Sequence, residues 1–108
     1  MHVIEVKNAE MVETIARRVK ELGITNGAIV TLIGAVDSFT ISTMPANDAS
    51  ADVITDYALP AELHGAGEIT DGVVHIHATM AEGDRGLAGH MHRAEVGHWF
   101  VRAYVQSC

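Results

Sequence analysis

A single cysteine, Cys108, rules out any disulfide within the chain and points to a reducing compartment, with the thiol itself expected to be an inert terminal group. Basic side chains are scarce. Seven Lys plus Arg against fourteen Asp plus Glu leave a formal charge of −7, which argues against unaided binding to DNA or RNA, because phosphate affinity depends on basic residues displacing counterions. No apolar run reaches the roughly 18 residues that a membrane span requires. Glu5 interrupts the N-terminal segment where a secretory signal would need unbroken apolar sequence, so a soluble cytoplasmic protein is expected. No glycine lies in a Gly-Lys-Ser phosphate loop and no serine in a Gly-x-Ser-x-Gly elbow. The one tryptophan, Trp99, sits in an apolar stretch where packing in a core or interface is the expectation. There is neither repeat nor linker. With 108 residues, 48% hydrophobic and 19% charged, the chain reads as one domain spanning 1–108, small enough to gain stability from oligomerising.

Hydrophobic spacing then divides the chain. Apolar residues at Met11, Val12, Ile15, Ala16, Val19 and Leu22 predict one long N-terminal helix over Asn8–Gly23, capped by Asn8 and stopped by a left-handed Gly23, with Glu10 and Glu13 suiting its positive end. Beyond it the period becomes two. Strands are expected at Ala28–Ile33, Asp37–Thr43, Asp52–Leu59, Glu62–Ile69 and Val73–Met80, and as one long run over Gly89–Val105. Residues 44–51 read as a surface loop, and Asp71-Gly72 as a two-residue hairpin turn. The fold class is therefore α+β, with a mainly antiparallel sheet.

The chain is rich in histidine, with seven, whose full protonation would cancel the formal charge of −7. Mild acid should threaten solubility or any metal site. His75 and His77 are two apart in a predicted strand and so project from one face, about 7 Å apart along the backbone. The stretch after Gly89 would place His90, His92, Ala94, Val96 and His98 on one face if no bulge intervenes. Pairing of the two strands brings His90 opposite His75 and His77, and three imidazoles leave a tetrahedral zinc ion one open position. His75, His77, Glu82 and Gly89 also have the spacing of the first cupin metal motif. Ile69 stands where that motif has its leading glycine, the second cupin motif is absent, and Glu82 reads as a solvated turn carboxylate.

Several segments together resemble the plants-and-prokaryotes-conserved (PPC) domain. They are Lys20–Gly27 at the helix end, Leu32-Ile33-Gly34-Ala35-Val36, Glu62–Ile69, Asp71–Ala78 and Gly89-His90-Met91, where Ala88 replaces the first glycine of a Gly-Gly-His-Leu step. The resemblance implies a mainly antiparallel α/β fold, a homotrimer, and a metal-holding triad of His75, His77 and His90. Plant relatives place the domain after a DNA-binding AT-hook. This chain carries neither AT-hook nor basic arm, so direct contact with nucleic acid is not expected. The turn over Ala81–Ala88 is shorter than the family's, and His64 and His92 replace small or apolar residues. These two imidazoles are candidates to enlarge the metal pocket or to carry protons, and Arg85 is a candidate anchor for an anionic substrate. The expectation is a homotrimer binding a divalent metal, zinc first, in a pocket near a subunit interface, acting as a metal-assisted lyase or hydrolase on a small polar or anionic metabolite. The alternative is a non-catalytic ligand-binding or protein-interaction module.

Overall fold

The computed structural model describes residues 1–108. Strand β1 (His2–Val6) and the two-residue β2 (Ala9–Glu10) precede helix α1 (Met11–Glu21), and seven further strands follow. These are β3 (Gly27–Val36), β4 (Ser38–Thr43), β5 (Val53–Tyr57), β6 (Ala61–Thr70), β7 (Val73–Glu82), β8 (Arg85–Val96) and β9 (Val101–Ser107). They form one sheet in the order β1-β9-β3-β6-β7-β8-β4-β5, with β2 attached to β8, and every pairing is antiparallel.

The helix is eleven residues, not a long one. Asn8 is not its cap. It adopts a left-handed backbone (φ 51°), and the next two residues are drawn into pairing with Val96 and Glu95 of β8. Glu10 caps instead, its carboxylate accepting from the backbone N–H groups of Val12 (3.1 Å) and Glu13 (2.8 Å). At the other end the sequence reading holds. Gly23 takes φ 72°, its N–H donates to Lys20 O, and the N–H of Ile24 donates to Val19 O, the paired bonds of a Schellman stop. Met11, Ile15 and Val19, four residues apart, are fully buried and seat α1 against one face of the sheet. Ile4, Val6, Ile29, Leu32, Ile69, Ile76, Met80 and Val96 meet them there.

Period-two alternation located the middle strands to within a few residues, and Asp71-Gly72 turns the β6–β7 hairpin with positive φ at both positions (52° and 80°). The run Gly89–Val105 is not one strand. Residues 97–100 interrupt it, and β8 begins earlier, at Arg85, so the β7–β8 connection is only Gly83-Asp84. A bulge intervenes in β8 as well. Its pairing with β4 slips between Thr40↔Arg93 and Ile41↔Met91, so buried Met91 is followed by two exposed residues, His92 and Arg93, before buried Ala94. His90 and His92 therefore face outward, while Ala94 and Val96 face the helix. Trp99 packs in no core. It lies in the β8–β9 connection, 65% exposed. No helix is long and apolar enough to cross a membrane.

Candidate metal centre

The face of the sheet away from α1 carries the histidines. On β7 alternate residues His75, His77, Thr79 and Ala81 are exposed, while Ile76, Ala78 and Met80 are buried under the helix. The β7–β8 register pairs His77 with His90. Glycines on β6 permit β7 to come close: a methyl group on Gly65 would strike the carbonyl of His77, and one on Gly67 that of His75.

The three imidazoles converge. One ring nitrogen from each of His75, His77 and His90 lies within 4.8 Å of the others, and the Nε2 atoms of His75 and His77 are 3.0 Å apart. Zinc–nitrogen bonds of 2.0–2.1 Å in a tetrahedron separate ligand atoms by about 3.3 Å, so small side-chain rotations suit this set to an ion. Partial burial, together with the neighbouring His92, His75 and His77, pushes the His90 pKa below the ordinary imidazole value, and Asp52 pulls against the shift. The neutral form is the one that ligates.

The other sequence candidates are dispersed. His92 adjoins the triad, its ring 4.9 Å from that of His90, and its Nε2 lies 2.8 Å from Ser42 Oγ. His64 is on the same face, across from Thr79 of β7, with its Nε2 3.4 Å from Thr31 Oγ1. Arg85 is not beside the triad. It pairs with Glu82 at the β7–β8 turn, five residues along from His77, so strand alternation puts both side chains on the opposite face. There Arg85 is tied to Glu82 at 2.7 Å. The same parity removes Glu82 from the histidines and leaves the cupin spacing without its carboxylate. His98 lies outside any strand, its Nδ1 3.1 Å from both carboxylate oxygens of Asp37.

Next to the triad runs an open groove of about 1160 Å³, lined by Ile33, His64, Thr79, Trp99, Phe100 and Arg102 among others. Thr79 is two residues beyond His77 on the same face. Arg102 is the groove's cation, stacked 4.1 Å above the Phe100 ring while its Nε donates to Glu5 at 2.9 Å. Local sequence gave no signal for Ser42 or Arg102. Both reach the site through pairing with strands distant in the chain, Ser42 with His90 and Arg102 with Ile33.

Solved structures share the fold. A metal-containing protein from Archaeoglobus fulgidus superposes with a TM-score of 0.77 at 22% identity, covering 98% of this chain and 79% of its own. A plant- and prokaryote-conserved protein from Pyrococcus horikoshii gives 0.80 at 16% identity, over 99% and 79% of the two chains. None of the curated proteins compared with the sequence matches it. The sequence profile of the Plants and Prokaryotes Conserved (PCC) domain matches residues 1–108, and the chain belongs to that family.

Proposed function

We propose that the protein binds a divalent metal ion, zinc first, through His75, His77 and His90, and that it works as a homotrimer on a small polar or anionic metabolite. The observation that carries this reading is the convergence of three ring nitrogens within 4.8 Å on an open sheet face. A related fold in Archaeoglobus fulgidus is described as metal-containing, which agrees with it. A zinc ion held by three imidazoles would polarise a carbonyl or activate water at its remaining position. The chain's own residues divide the remaining work. His77 and Thr79 connect the triad to the groove, Arg102 supplies the positive charge for an anionic group, and His64 stands on the groove floor within reach of a bound molecule. Arg85 takes no part in this reading, since it faces the other side of the sheet. The acidic chain and its single cysteine suit a cytoplasmic setting without nucleic acid.

Elemental analysis of tag-free protein tests the reading, beside the triple variant His75→Ala, His77→Ala, His90→Ala. About one metal per chain is expected in the parent and none in the variant. Equal metal content in the two, or none in either, refutes the triad and leaves the alternative of a ligand-binding or interaction module without metal.

A further inference from the structure

We infer that His92 is a displaceable fourth ligand of the metal centre, exchanging between the ion and the hydroxyl of Ser42. The inference rests on the triad reading and extends it to a residue that the cluster within 4.8 Å does not include. Three observations carry it.

The first is the lattice of rings. His90 touches the other three, with centroids 4.9 Å from His75, 5.6 Å from His77 and 4.9 Å from His92. The β7–β8 ladder ends at His77↔His90, and His92 is the next residue of β8 on the same face, its ring against that of His90. The three rings of the triad form a triangle, and His92 extends it through His90.

The second is the equivalence of the two pairs. His75 and His77 are two apart on β7, with centroids 4.8 Å apart and planes at 82°, and their Nε2 atoms come within 3.0 Å. His90 and His92 are two apart on β8, with centroids 4.9 Å apart and planes at 73°. The ring spacing and angle of one pair are close to those of the other, while the His92 Nε2 is turned to Ser42 instead of to its neighbour.

The third is the present partner of His92. Its Nε2 is held by Ser42 Oγ at 2.8 Å, and Ser42 is itself buried at 4% exposure and fixed by pairing with His90. A bond between an imidazole and a neutral hydroxyl is weak enough to exchange for a metal bond, and Ser42 gives the released ring a defined position. Strand alternation from His90 puts His92 on the histidine face, and the bulge then turns Ala94 and the strand beyond it inward.

With His92 bound, the site is a four-nitrogen set with no vacant position. With His92 on Ser42, the three-nitrogen set opens toward an incoming anion or carbonyl. Four imidazoles also widen the range of ions to copper(II) and nickel(II), which accept planar nitrogen sets.

The test compares the parent, His92→Ala, His92→Gln and Ser42→Ala. Copper(II)-loaded samples are read by electron paramagnetic resonance for the number of bound nitrogens. Zinc affinity is measured by competition with a chelating dye, and azide binding by titration of the cobalt(II) form. The parent and Ser42→Ala should show four nitrogens, and both His92 variants three. Zinc affinity should fall on the order of 10-fold or more in the His92 variants, hold or rise in Ser42→Ala, and azide should bind the His92 variants more tightly because nothing has to be displaced. Spectra, zinc affinity and azide affinity unchanged in both His92 variants overturn the inference while leaving the triad standing. A zinc affinity in Ser42→Ala reduced as far as in His92→Ala also overturns it, since the Ser42 bond would then support the metal rather than compete with it. A parent that takes up no metal overturns the triad, and His92 with it.

Discussion

At the scale of single residues, His90 is the group whose environment is most informative. It is partly buried and ringed by three other imidazoles, and both effects disfavour its charged form, with only Asp52 acting the other way. Its folded pKa therefore lies below the ordinary value of about 6.5 that it has in an unfolded chain. The unfolded state then binds the extra proton first, so the His90 contribution to stability is present above that ordinary value and is lost as the pH falls through the folded one. Two results are expected of the metal-free protein. An NMR titration should find the His90 ring titrating below 6.5, and Asp52→Asn should move it lower still, because the opposing charge has gone. A His90 titration at or above 6.5, or one raised by Asp52→Asn, contradicts the geometry.

At the scale of elements, Glu10 joins the helix to the strand that carries the site. Its carboxylate caps α1, and the same Oε2 that accepts from Val12 also accepts the backbone N–H of Ala94 at 2.8 Å. Ala94 is the first inward residue after the β8 bulge, so one side chain holds both the helix start and the place where the strand turns away from His92. Glu10→Ala removes a cap worth about 1 kcal/mol and leaves a partly buried N–H without its acceptor, for a total loss of about 2–3 kcal/mol. Glu13→Ala, in the same turn but exposed, should cost less than about 1 kcal/mol. Urea unfolding of the two variants checks the difference, and equal losses would show that Glu10 is only a favourable charge. The sequence foretold Glu10 as such a charge and no more, because the partner that makes it a clamp lies 84 residues away. The same limit runs through the rest. Alternation in Val73–Met80 revealed that His75 and His77 share a face, and the short return to Gly89 put His90 opposite them, since both depend on local spacing alone. The bulge after Met91 was invisible, as it arises from β4 pairing across the sheet, and with it went the expectation that Ala94 and Val96 would share a face with His90. The helix was read three residues too long at its start because Asn8 is a good cap in isolation, whereas β8 recruits Ala9 and Glu10 into a sheet.

At the scale of the whole molecule, one sheet is served by one short helix, and the molecule is only 17 Å across its thinnest axis against 37 and 34 Å along the others. One face is sealed by α1, while the other leaves Val3, Val30 and Ile33 more than half exposed, with Trp99 at the rim of the groove. Apolar side chains on an open face are the surface that oligomerisation covers, and stable interfaces of this kind bury on the order of 1,200–2,000 Å². The proposed trimer uses that face. Ile33 is its best probe, because it pairs with His64 and Arg102 in the middle of the groove side yet contributes nothing to the core under the helix. Light scattering should give about 34.5 kDa for three parent chains of 11.5 kDa each, and Ile33→Asp should give the monomer mass, since a carboxylate desolvated in the interface would cost more than the apolar contact it replaces. Metal content decides what the assembly contributes. His75 and His77 lie on β7 and His90 on β8 of the same chain, held in register by their own hydrogen-bond ladder, so the monomeric variant should retain about one metal per chain. A monomeric parent removes the trimer from the proposal. Loss of metal together with loss of the trimer would instead mean that a second chain supplies part of the coordination shell, and that three imidazoles converging within one protomer do not suffice to hold the ion.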